Sequence, residues 1–271
     1  MEVNIKDLHQ GLLKVVCEVH RICVENDIKY FMMAGTMLGA VRHKGFIPWD
    51  DDIDIGMTYD NFQKFIDVFQ KMNHPWLTSN LPLEKSYRFF LKLYDKNTTM
   101  QERSEDECSH GIFIDIFPIV YGGNSYSKVK LEFLYTRFIN AMLTRKVYDL
   151  KESGFSFKFV KLFSRLFSKD FLISVLLNRY KKLSKKKTKL YTILGSSVFG
   201  DTFPVEVYDN TKLYDFENTQ LYGVVDYDRY LSSVFGEYMK LPDVKHQVPK
   251  HIFYLDLNTP YSEYNRQKGN K

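Results

Sequence analysis

Two short stretches constrain this chain more than anything else in it: "DDDIDIGM", residues 50–57, and "GIFIDIFPI", residues 111–119. Each sets carboxylates into a run that otherwise alternates apolar side chains. Side chains of a strand point to opposite faces in turn. The first stretch therefore sends Ile53 and Ile55 toward a core and leaves Asp52 and Asp54 together on the other face. In the second, Phe113, Asp115 and Phe117 share a face opposite Ile112, Ile114 and Ile116. A charge in such a strand is costly unless something compensates it. A solvated acidic turn would also show consecutive aspartates, but it has no need of the apolar alternation.

Helical periodicity is clear over 7–27, where Leu8, Leu12, Val15, Val16, Val19, Ile22 and Cys23 form one stripe behind a possible N-cap at Asp7. "IKYFMMAG" reads as a short buried strand, "TMLGAVRH" as a helix, and "KGFIPWD" as a loop broken by Gly45 and Pro48. Helical spacing returns over 59–72 through Phe62, Phe65, Ile66 and Phe69. "YRFFLKLYD" is expected as a strand with Arg88 and Lys92 on one face, followed by an acidic loop, 101–111. From about Ser125 to Leu194 the pattern is helical and increasingly basic. The last third mixes strands such as "FENTQLYGV" with a helix from near Asp226. Strands alternating with helices point to an α+β (mixed α/β) fold on a small mixed sheet flanked by helices. At 271 residues the expectation is a single domain over 1–271, with a helical insertion at about 125–200.

The three cysteines, Cys17, Cys23 and Cys108, contain no CxxC pair, which argues against a disulfide framework or zinc ribbon. No apolar run reaches the roughly 18 residues of a membrane span, and the amino terminus lacks the order of a signal peptide. A cytoplasmic setting is expected.

Two carboxylates one strand-repeat apart can converge on a hard cation, and magnesium favours oxygen ligands together with substrate phosphates. Ahead of them Gly35, Thr36 and Gly39 form a "GTxxG" turn opening a helix, whose free N–H groups suit an anion. Arg42 and Lys92 are candidate phosphate clamps. His110 could contact phosphate, assist proton transfer, or be an ordinary loop histidine. Trp49, with Phe46 nearby, could face a quaternary ammonium through its ring. Asp50 and Asp51 lie on the loop side, to shape the turn or contact substrate.

"GTMLGAVRHKGFIPWDDDIDIGM", with "LKLYDKNTT", "HGIFIDIFPI" and "YLSSVFGEYMKLP", resembles the LicD family of the nucleotidyltransferase superfamily. The resemblance implies a nucleotidyltransferase-like core that moves a substituted phosphate from a CDP-linked donor to a sugar hydroxyl. CDP-choline and phosphocholine are the first expectation, with a cell-surface glycan or teichoic acid precursor as acceptor. CDP-glycerol, CDP-ribitol or another CDP-linked donor is the alternative. It further implies Asp52 and Asp54 as ligands of Mg2+ (or Mn2+), and Asp115 as a third acid, catalytic base or metal ligand.

The stretch 155–189 alternates bulky apolar residues with Lys and Arg and ends in six lysines over nine residues. It fits an anionic membrane surface, or equally a helical insertion showing its lysines to solvent. Nucleic acid is not expected, because no recognised binding motif accompanies the charge. A membrane-surface module that has lost catalysis is the rival of a different class; three acids on apolar strands argue against it.

Overall fold

The computed structural model describes residues 4–102, 111–147, 160, 162–194, 201–249 and 252–269. Helix α1 (Ile5–Glu25) buries the whole apolar stripe expected of it. Its cap is Asn4, whose side chain accepts from Lys6 N, so Asp7 sits inside the first turn instead, where its charge favours the helix dipole. Strand β1 is only Phe31–Met32, because Ala34, at φ 41°, turns the chain directly into α2 (Ala34–His43). After the loop come β2 (Asp54–Thr58) and α3 (Tyr59–Met72), the latter with Phe62, Phe65 and Phe69 buried.

Next follow β3 (Leu77–Ser79), α4 (Leu83–Ser86), β4 (Leu91–Asp95), β5 (Thr99–Glu102) and the long β6 (Phe113–Gly123). The main sheet runs β1-β2-β6-β4-β3. Within it β2 and β6 are parallel, while β1 and β4 pair antiparallel to their neighbours. The fold is α+β on a mixed sheet. Helices α1 and α3 lie against it through their apolar faces, and its central strands are buried in one continuous core.

Two boundaries differ from the sequence reading. Arg88 precedes β4 and is not on the strand, since the turn at 87–90 intervenes. Asp52 lies in an extended lead-in to β2; the ladder still reaches back one residue, through Asp115 N donating to Ile53 O.

Beyond β6 the chain forms α5 (Tyr126–Val147) and α6 (Lys169–Ser184), an antiparallel pair with its own small core of Ile139, Met142, Leu143, Val160, Leu172, Ile173 and Leu176. The helical reading of the region ends early: β7 (Leu190–Thr192) returns to the sheet and pairs with the second half of β6. Then come β8 (Phe203–Pro204), α7 (Val205–Asp209), the hairpin β9 (Thr211–Phe216) and β10 (Thr219–Val224), and α8 (Tyr227–Phe235). The chain closes with β11 (Ile252–Asp256), which pairs with β5, and α9 (Tyr261–Gly269). Among the described residues no helix is long and apolar enough to cross a membrane.

One polar lock holds α1 to the turn before β3. Glu18 accepts from Arg21 on its own helix and from His74, which is itself buried. The Arg21 hydrogen bond, helped by that of His74, pulls the Glu18 carboxyl down to about 2. A depressed carboxylate stabilises the fold above its unfolded pKa, near 4.5, and that contribution is lost as pH falls toward 2. Urea midpoints should therefore drop across this acid window in the native chain. The part of the drop owed to this lock should be missing in Glu18→Gln, as followed by circular dichroism.

Candidate active site

Asp54 heads β2 and is register partner of Asp115 on β6, and Asp115 is register partner of Lys92 on β4. The three side chains thus form a row across three strands. Lys92 is only 2% exposed. Its Nζ lies 3.2 Å from Asp115 Oδ1, 3.4 Å from both oxygens of Glu102 on β5, and 3.2 Å above the Phe113 ring. Although that ammonium is close, Asp115 Oδ1 is buried without an aligned hydrogen-bond donor. Burial pushes the Asp115 carboxyl up to about 6, with Lys92 opposing and the charges of Glu102 and Asp52 adding to the rise. Asp54 is driven well above the carboxylate range, first by burial and then by Asp52, Asp115 and Asp50; Lys92 pulls the other way. These acids share one electrostatic environment that holds more negative charge than Lys92 offsets.

The first turn of α2 grips Asp54 by its backbone. Met33 N donates to Asp54 O (2.9 Å), and Asp54 N donates to Thr36 Oγ1 (2.8 Å). The left-handed entry at Ala34 is secured by its N–H donating to the Tyr230 hydroxyl on α8 (3.0 Å). Gly35 is required by proximity: a Cβ there would lie 2.6 Å from Asp50 Oδ2. Gly35 and Thr36 stand at the helix start, where N–H groups lack intrahelical acceptors. Gly39 is further along the helix and packs closely: a Cβ on it would press on Gly45 O and lie 3.3 Å from Ile47 N in the following loop.

That loop, 44–52, is tied from three distant elements. His9 of α1 stacks on Phe46 at 4.1 Å between ring centroids, and its Nε2 donates to Asp50 O (2.7 Å). At the hairpin turn Glu217 accepts from Phe46 N (2.9 Å) and donates its own N–H to Lys44 O (2.8 Å). Asp51, 1% exposed, accepts from Ile252 N of β11 at 2.8 Å, which ties the loop to that strand. Phe46, covered by His9 and Phe216, belongs to the core rather than to a cation-binding surface.

Arg42, in the last turn of α2, donates from Nη1 to Tyr238 O (2.7 Å) and from Nε to His43 Nε2 (2.9 Å), while feeling the charge of Asp50. Trp49 is half-buried with its ring near edge-on to His43, 6.3 Å between centroids. Lys92, read as a phosphate clamp, is instead drawn to Asp115 and Glu102 inside the protein. His110 lies outside the described residues, as does Cys108. Among the described residues, the acids whose ligand oxygens come within 4.8 Å of one another are Asp50, Asp51 and Asp52. The expected trio, Asp52, Asp54 and Asp115, is a different set, and Asp52 is common to the two. Together these carboxylates could bind a metal ion.

A strand–helix turn grips the first acid of a parallel strand pair, and a second acid is its register partner on the neighbouring strand. Residues 27–156 match the family model described as "LicD/FKTN/FKRP, nucleotidyltransferase domain". A lipopolysaccharide cholinephosphotransferase LicD of Haemophilus influenzae (strain Rd) is 29% identical over 93% of this chain and 97% of its own length. Two uncharacterised proteins, of Rickettsia typhi and Rickettsia prowazekii, are 39% and 38% identical over 67 residues, which is 24% of this chain and 22% and 25% of theirs.

The electrostatic row makes a direct prediction. Lys92→Met strips Asp115 and Glu102 of their shared cation, and losing one partner of a buried pair costs about 3–5 kcal/mol. Urea unfolding with chelator present should show a loss of that order. Adding Asp115→Asn to the same chain should return part of it.

Proposed function

We propose that the chain is a metal-dependent phosphotransferase that moves phosphocholine from CDP-choline to a sugar hydroxyl of a cell-surface glycan precursor. The observation that carries this reading is the register pair Asp54–Asp115, half-buried, with the charges of Asp52 and Asp50 acting on it and more carboxylate charge than Lys92 offsets. The full-length similarity to an enzyme named as a lipopolysaccharide cholinephosphotransferase supports the same donor group and acceptor class.

The residues fit a hard divalent cation. The donors are all carboxylate oxygens, and those of Asp50, Asp51 and Asp52 lie within 4.8 Å of one another. Asp115 Oδ1 has the Lys92 ammonium 3.2 Å away without an aligned hydrogen bond, and the Asp54 charge is strongly disfavoured as the side chains stand. Asp52 and Asp54 would hold Mg2+ (or Mn2+), with Asp115 as the third acid. Bound there, the cation would neutralise the diphosphate of the donor and polarise its phosphoryl oxygens. The rest of the task falls to the chain. Gly35 and Thr36 offer N–H groups to the phosphate oxygens. Arg42 stands at the other end of α2, within reach of the charge of Asp50. Trp49 is the aromatic side chain nearest the acids in sequence and can present its ring to the choline ammonium.

In the reaction the acceptor hydroxyl oxygen attacks the phosphorus that bears choline. The bond to the bridging oxygen breaks, CMP leaves in line, and the hydroxyl proton passes to a base. Asp115 serves either as that base or as a third ligand. Titration with Mn2+ separates the two: an unchanged dissociation constant in Asp115→Asn, with transfer lost, assigns the base, while a weakened one assigns the ligand. Lipid-linked glycan precursors would put the protein in the cytoplasm, on the inner face of the membrane.

Asp52→Asn and Asp54→Asn should each lower CMP release by about a thousandfold, since metal-borne charge stabilisation is worth several kcal/mol, with the melting temperature kept. Undiminished release from either variant in chelator refutes the mechanism. A thermal-shift panel of CDP-choline, CDP-glycerol and CDP-ribitol with Mg2+ should single out CDP-choline. Stabilisation by CDP-glycerol or CDP-ribitol alone moves the donor assignment to a polyol phosphate.

A further inference from the structure

Charge is unevenly distributed along this chain. Residues 126–189 hold 17 of its Lys and Arg and four of its Asp and Glu, a net +13 in a chain whose total is +5, so everything else is net −8. No acid at all occurs between Asp170 and Asp201. Of the four acids in the arm, Glu132 pairs with Arg179, and Asp170 accepts from the Tyr87 hydroxyl. The lysines are not so engaged by position: Lys181, Lys182, Lys185, Lys186, Lys187 and Lys189 are all exposed, at the carboxyl end of α6 and just beyond it.

The same arm also shows apolar side chains to solvent. Leu162 is 60% exposed and Leu166 71%, one helical turn apart, and the exposed Phe167 and Phe171 stack at 5.2 Å. Exposed cations, Arg165 and Lys169, stand among them. On α5, Leu131 and Leu134 are likewise exposed between Lys130 and Arg137. The arm does not need these residues for its own stability, because a separate set of seven fills its core. Single exposed leucines are ordinary. Four large apolar residues within ten positions, interleaved with cations, form the pattern of a surface that dips into lipid headgroups.

We infer that the α5–α6 arm is the face by which this protein docks on an anionic bilayer. Leu162, Leu166, Phe167 and Phe171 enter the headgroup boundary, and the lysines of 181–189 meet lipid phosphates. Charge complementarity selects lipid of net negative charge. Exposed Leu and Phe beside the cations favour a bilayer over a nucleic acid, which has no apolar layer to receive them. The inference rests on the reading in which the acceptor is lipid-linked, and it names the residues that would bring the site to it.

Flotation of the full chain is the test, with vesicles of phosphatidylcholine alone and vesicles of equal parts phosphatidylcholine and phosphatidylglycerol. The wild-type chain should float with the anionic vesicles at low salt, less at high salt, and not with phosphatidylcholine alone. Each lysine at such a surface is worth about a fivefold change in partition, so K185Q/K186Q/K187Q should lower binding at least tenfold. L166E/F171E should do the same, and L131E/L134E provides a second apolar pair should the first fail to fold by circular dichroism. No flotation with anionic vesicles, or undiminished flotation of folded variants from both classes, overturns the inference; so does retention on RNA or on a protein without vesicle binding. Asp54→Asn separates this from the catalytic reading: it should float like wild type while its CMP release falls by about a thousandfold. Conversely L166E/F171E should keep CMP release with a soluble sugar acceptor.

Discussion

Asp54 and Asp115 face each other from neighbouring parallel strands, and Lys92 is the buried cation that stands against them. That imbalance is the constraint from which the rest of the structure follows. Like charges brought together away from water oppose folding, so the surrounding elements must hold them by force of packing and hydrogen bonding. The apolar partners do this on the core side, where Ile53, Ile55, Ile114 and Ile116 are fully buried. On the other side, the first turn of α2 fixes both backbone groups of Asp54. Such strain concentrates at functional sites because a ligand can relieve it.

The backbone specials of the region belong to the same arrangement. Ala34 in a left-handed conformation is unusual for a residue with a side chain, and it is tolerated because the Tyr230 hydroxyl anchors its N–H. Tyr230 in turn lies within hydrogen-bonding reach of Asp201, 3.4 Å away. Gly35 lets Asp50 approach the helix start, and Gly39 lets the loop fold back onto the helix. The glycines spaced four apart thus do different work: one admits a carboxylate, the other admits a backbone.

Much of this was legible in the sequence, for physical reasons. Helix α3 matches its expected bounds, because apolar side chains at helical spacing report a local property. The strand alternation around Asp54 and Asp115 is equally local, and so it marks the two acids that the sheet sets in register. Other features depend on partners far along the chain. Lys92 looked like a free clamp because nothing nearby in sequence reveals that β4 sets it opposite Asp115 and that β5 returns Glu102 to it. Asp52 fell outside the strand since alternation does not mark where a ladder begins. No local signal marks His9 or Glu217: a histidine at the start of an amphipathic helix and a glutamate in a hairpin turn are ordinary there. Strand β11 was missed because "IFYLD" is short and follows a polar stretch.

The tethers on the acidic loop come from opposite ends of the polypeptide: His9 near its start, then Glu217, then Ile252, the last joined to Asp51 across 201 positions. Contacts of such separation form late, since chain closure must be offset before they reward it. During synthesis Asp51 emerges 201 positions ahead of Ile252, whose N–H it accepts. Over that interval the nascent acidic loop lacks this partner. A chain cut ahead of β11 would keep the Asp54–Asp115 row and lose this partner of Asp51, so the acidic loop and the acid row answer to different parts of the sequence.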